Sequence, residues 1–167
     1  MSFLRDVNPF LPKALLASDL VLWLCWLPLM LRIQTIPSLL KRLAGSEAHL
    51  KKTQLELGEV IWIVTRVCNL RVFRSRVFPK LCLRQSLTLY RALANMGYPV
   101  GIHFGVRKDE NNLTGHSWVT MEGRPVADTT SSAIFKVVYS HPSSARETNS
   151  FKNGAISKPV KTKGGRK

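Results

Sequence analysis

The chain has 167 residues, enough for one compact domain built on a single core. Lysine and arginine outnumber the acids 25 to 10, and the resulting charge of +15 points to an anionic partner without choosing among nucleic acid, lipid and acidic peptide. Three cysteines, Cys25, Cys68 and Cys82, with no CxxC pair exclude a disulfide framework and a zinc module, and they fit a reducing, cytoplasmic setting.

Residues 11–34 read as a hydrophobic helix kinked at Pro28. Its centre is an apolar run over residues 20–31, apolar nearly all round, so the helix is either buried or faces lipid. The run is shorter than the roughly 18 residues of a membrane span, and extension back to Ala14 takes in Asp19. Asp6 and Asp19 ahead of and beside the run, with no small-x-small site after it, argue against a cleavable signal peptide. Trp23, Trp26, Arg32, Lys41 and Arg42 suit peripheral attachment to a membrane through this helix.

Residues 46–70 read as a second helix, N-capped by Ser46, with Leu57, Val60, Ile61, Val64, Val67 and Cys68 on one stripe. Cys68 on that stripe and Cys25 in the earlier run read as small buried hydrophobes. Pro79 breaks the chain. A third helix is expected over 82–96, where Leu83, Leu87, Tyr90, Leu93 and Ala94 keep helical spacing and Gly97 suits the position just past the end.

The period then changes to two. Val100, Ile102, Phe104 and Val106 alternate with Gly101, His103, Gly105 and Arg107, a half-buried strand. Residues 108–115 read as a polar loop, followed by a strand over 116–120, a turn holding Gly123, a strand over 124–128 and a short strand in 134–139. From His141 onward the chain is rich in Ser, Lys and Gly and reads as a disordered basic tail. The expected organisation is a hydrophobic helical region over 1–75, a core over 76–140 and a tail over 141–167.

Cys82 follows Pro79 at the expected start of a helix, where unpaired N–H groups and the helix dipole favour thiolate over thiol. Lys80 and Arg84 add positive charge nearby, and the Cys82 N–H could serve an oxyanion. His116 on a strand can act as base if a carboxylate orients it. A three-residue turn, Met121-Glu122-Gly123, with Gly123 in the left-handed position, pairs Thr120 with Arg124 and so sets His116 directly opposite Asp128. A two-residue turn at Glu122-Gly123 pairs Met121 with Arg124 instead and turns Asp128 to the other face. The expectation is the three-residue form, giving a Cys82, His116 and Asp128 triad. His103 is the rival base, read as a surface or supporting histidine; His49 and His141 have no site-like context. Nothing suggests a metal or other cofactor: there is no HExxH, paired cysteine, carboxylate cluster or Gly-rich phosphate loop.

The start Cys82-Leu83 running into Ser86-Leu87-Thr88-Leu89-Tyr90-Arg91, Gly97 before a strand ending Gly105-Val106-Arg107, and His116-Ser117-Trp118-Val119 followed by Glu122-Gly123-Arg124-Pro125-Val126 together resemble the lasso-peptide leader peptidases, of the transglutaminase-like, papain-type superfamily. The resemblance covers about residues 76–130 and, more loosely, the N-terminal helices. It implies an α+β fold in which N-terminal helices join a papain-like or transglutaminase-like core, with the nucleophile-bearing helix packed on a small antiparallel sheet. It implies a cysteine protease that cleaves a ribosomally made precursor peptide, acting with a separate leader-recognition protein and a lasso cyclase. It names no nucleic-acid partner, and its triad falls on Cys82, His116 and Asp128. Ser117 departs from the usual His-Ala-Trp, and a small residue facing away from the triad should be tolerated there. Two other readings stand beside it: a different thiol acyl-transfer enzyme, of transglutaminase or amidase type, and a non-enzymatic basic protein that binds membrane or nucleic acid.

Overall fold

The computed structural model describes residues 10–45, 55–75, 77–109, 112–127 and 132–142. Over these it is α+β, with four helices and one four-stranded antiparallel sheet. Helix α1 (Phe10–Ile33) is continuous through Pro28. Helix α2 (Ile36–Gly45) follows after a break at Gln34 and Thr35, and Pro37 sits in its first turn, where the missing N–H costs nothing. The sequence pattern did not separate α2 from the basic stretch around it.

Helix α3 (Leu57–Cys68) starts eleven residues later than the expected 46. The start is set by a reciprocal cap, with the Glu56 side chain on the backbone of Glu59 and the Glu59 side chain accepting from the Glu56 N–H at 3.3 Å. Ser46, the expected cap, lies outside the described residues. The buried face of α3 is Val60, Ile63, Val64, Val67 and Cys68. Helix α4 (Leu81–Asn95) ends as expected: Gly97 has φ 81°, its N–H donates to Ala94 O at 2.9 Å and the Tyr98 N–H to Leu93 O at 3.0 Å. That is a Schellman closure, and it needs a residue at ease in the left-handed region.

The sheet order is β3-β2-β1-β4. Strands β1 (Val100–Asp109) and β2 (Asn112–Met121) form a long hairpin, paired from Val100↔Met121 to Asp109↔Asn112. Most of the expected loop 108–115 is therefore strand; its residues are largely exposed, so alternation gave no signal there. Strand β3 (Arg124–Val126) is shorter than expected. Strand β4 (Lys136–His141) follows a 3₁₀ turn at Ser132–Ile134 and pairs with β1 through a bulge between Phe104 and Gly105.

Helix α4 lies on the sheet, burying Leu87, Leu89 and Leu93 with Ile102 and Val119. The same apolar cluster continues through Val60, Val64 and Cys68 of α3, Leu39 and Leu40 of α2, and Leu20, Leu24 and Leu27 of α1. Two ion pairs tie α1 down: Asp19 with Arg91 of α4 at 2.6 Å, and Lys13 with Glu59 of α3 at 2.6 Å. Only one stripe of α1 is buried, so Cys25 is exposed rather than buried as expected.

Candidate active site

Cys82 is the second residue of α4 and is half-buried. Lys80, the residue before the helix, supplies no side-chain cap, and the Arg84 N–H, donating to Lys80 O at 3.0 Å, makes the first intrahelical bond. The N–H groups of the first turn make no intrahelical bond, at the end of the helix that favours negative charge.

His116 lies on β2, paired with Gly105 of β1. Its ring stacks on Trp118 with centroids 5.8 Å apart and meets Phe135 at 5.0 Å. Cys82 and His116 line the same two cavities. Two of the three residues expected to do chemistry thus line the same cavities, one at a helix start and the other on a strand.

The third, Asp128, lies outside the described residues, and the register that was to place it opposite His116 is not the one formed. Met121 pairs with Arg124, Thr120 with Pro125 and Val119 with Val126. The turn is the two-residue form, with Glu122 at φ 52° and Gly123 at φ 77°, the signs of a type I′ turn. Glycine occupies a left-handed position in either form; the residue before it decides, and glutamate there is an uncommon choice that the pattern did not anticipate. Pairing ends at Val126, and Ala127, at φ 57°, bends out of the ladder to line the first cavity with Cys82 and His116.

His103 is buried on β1 opposite Trp118, with Nε2 2.9 Å from Thr120 Oγ1 and its ring stacked on Trp118 at 5.6 Å. It lies outside both cavities and braces the indole against which His116 stacks.

Two buried polar residues near Cys82, Ser86 and Arg84, make contacts that the sequence reading did not anticipate. Ser86, one turn after Cys82, contacts the carbonyls of Cys82 and Ser117, the latter at 2.9 Å, and Ser117 Oγ at 2.8 Å. It fastens the start of α4 to the strand residue next to His116. Ser117 thus faces the helix and is buried, which explains a small polar residue there. Arg84 is buried, and its guanidinium donates to the carbonyls of Phe73, Cys68 at 2.8 Å and Pro79 at 3.4 Å. Burial holds Arg84 below the usual arginine range. Instead of facing Cys82, it pins the segment from the end of α3 to the start of α4. The one clue was its place on the apolar face of a helix.

Cys68 is buried, and desolvation pushes its thiol up to about 11. Among the described residues no group of three or more His, Cys, Asp or Glu is placed to hold a metal ion.

A family model described as the transglutaminase-like superfamily matches residues 21–140, well over half of the chain. That superfamily includes cysteine proteases and acyltransferases. Neither the curated proteins nor the solved structures gave a match.

Proposed function

The chain belongs to the transglutaminase-like superfamily, and on that premise we propose that it is a cysteine peptidase that removes the leader from a ribosomally made precursor peptide in lasso-peptide biosynthesis. The observation that supports a thiol acyl-transfer reading is that Cys82, at the start of α4, and His116 line the same two cavities. The choice of a leader peptide as substrate rests on the resemblance of residues 76–130.

In this mechanism His116 takes the Sγ proton of Cys82, and the thiolate attacks the scissile carbonyl. The Cys82 N–H meets the oxyanion. His116 returns the proton to the leaving amine, leaving a thioester on Cys82. Water, deprotonated by His116, then releases the leader as a free acid and restores the thiol. Asp128 is the proposed orienting carboxylate, since it follows Ala127, which lines the cavity beside His116. The proposed partners are the precursor, a separate leader-recognition protein and a lasso cyclase.

A precursor gene is expected beside the gene for this chain. Incubated with that peptide and the recognition protein, the wild-type chain should release a free-acid leader, Cys82→Ala and His116→Ala should release none, and Asp128→Asn should be slower. Transfer of the leader to an added amine instead would favour a transglutaminase. In a Cys25→Ser background, iodoacetamide near neutral pH should label Cys82 and spare Cys68, as its raised thiol requires. Normal processing by Cys82→Ala would overturn the proposal.

Helix α1 is the one described helix long and apolar enough to cross a membrane by length and composition. Its exposed side carries Leu15, Leu22, Trp26, Leu29 and Ile33, with Arg32 exposed in its last turn and Lys41 and Arg42 exposed on the following helix α2. We propose that this side rests on an anionic lipid surface, because the apolar row is flanked by positive charge.

A further inference from the structure

The positive charge of the chain is concentrated. Between Glu59 and Asp109 the sequence has no acidic residue and nine lysines and arginines. The fold sets three of them, Arg74, Lys80 and Arg84, around one cavity of about 240 Å³, which no carboxylate lines among the described residues. Arg74 and Lys80 are exposed, and neither joins an ion pair among the described residues. Arg84 is 3 % exposed and, as an arginine, keeps its charge. Its partners are carbonyls, all neutral, and among the described residues its Nε has none. A buried cation is ordinarily paired with an anion.

Two further features favour negative charge in this place. Leu81, the first residue of α4, lines the cavity, so the positive end of the helix dipole adds to the three cations. Phe73 and Phe78, packed edge to face at 5.1 Å, give the cavity a wall of low dielectric, which concentrates the field.

Position and size say which anion fits. The cavity shares Leu81 with one of the two cavities at Cys82 and His116, and Pro79 and Lys80 with the other, so it borders both. At about 240 Å³ it falls below the roughly 300–1,000 Å³ typical of pockets that take a whole ligand, and it suits one side chain of a larger molecule.

We infer that this basic cavity receives the carboxylate of an aspartate or glutamate of the peptide substrate, within about four residues of the scissile bond, a reach of roughly 13 Å of extended chain. This rests on the cysteine-peptidase reading. The carboxylate accepts charge-assisted hydrogen bonds from Arg74 and Lys80, and its charge offsets that of Arg84. Bonds of this kind, made in the transition state, change rates by about ten- to a hundredfold.

The test uses paired libraries of octapeptides with glutamate or glutamine fixed at one position and the others randomised. Glutamine keeps the shape and removes the charge. The full chain cleaves each library, and mass spectrometry reads the new ends. In the wild type, kcat/KM for glutamate should exceed that for glutamine by at least about tenfold at one position relative to the cleaved bond. Arg74 is exposed at the end of a 3₁₀ turn, so its variants should fold and cleave the glutamine peptides as the wild type does. Arg74→Gln should cut the glutamate preference by at least about threefold, and Arg74→Glu should bring it to about one. Equal glutamate and glutamine rates at every position, with cleavage by the wild type intact, overturn the subsite and leave the peptidase reading standing. So does a glutamate preference unchanged in both Arg74 variants. No cleavage of any library by the wild-type chain overturns the reading, and the subsite with it.

Discussion

At the scale of single residues, geometry at Cys82 depends on Ser86. The single Ser86 hydroxyl proton is within reach of Cys82 O, Ser117 O and Ser117 Oγ, which makes Ser86 a short link between α4 and β2. Ser86→Ala removes both contacts in a buried place and should cost about 1–3 kcal/mol of stability. It should also lower kcat by about ten- to a hundredfold while circular dichroism still reports a folded chain, because a small displacement of a reacting group is enough for that loss. An unchanged kcat would mean that Ser86 only packs. The sequence displayed Cys82 and His116 because the roles proposed for them demand particular residue types. It concealed Ser86, Ser117 and Arg84, whose roles depend on which backbone groups the fold sets beside them.

At the scale of elements, local chemistry fixed the ends of α4 well and those of α3 poorly. Pro79 and Gly97 bracket α4 by steric rules that act within a few residues. The start of α3 is set by the Glu56–Glu59 cap, which the sequence pattern did not single out. In the sheet, the Glu122-Gly123 turn shifted the pairing by one residue and removed the argument that set Asp128 across from His116. Strand β4 carries a pH dependence of its own. Burial, with a smaller push from the Lys41 charge, holds His141 below its ordinary value of 6.5, and its ring meets Tyr90 edge-on. On acidification the unfolded chain takes the proton first. Stability from this group is therefore complete above about 6.5 and is lost as pH falls toward the lower folded value. Urea midpoints at about pH 7.5 and about pH 5 should fall more for the wild type than for His141→Gln, which cannot titrate. Equal falls would remove His141 from the account.

At the scale of the whole molecule, α1 is held to the core by Leu20, Leu24 and Leu27 and by the Asp19–Arg91 and Lys13–Glu59 pairs, while its other side stays open. The wild-type chain should sediment with phosphatidylglycerol vesicles at low salt and much less with phosphatidylcholine vesicles; Leu22→Glu with Trp26→Glu should stay in solution. No sedimentation with either vesicle would refute the lipid contact. The sequence by itself determined the α+β class, the helix that bears Cys82 and the β1 alternation, because periodicity and caps are local properties. Only the tertiary structure decided the β2–β3 register, the exposure of Cys25, the inward turn of Arg84 and the basic cavity that it lines with Arg74 and Lys80. Each of these depends on what other elements, far along the chain, bring to the same place, and no local pattern encodes that.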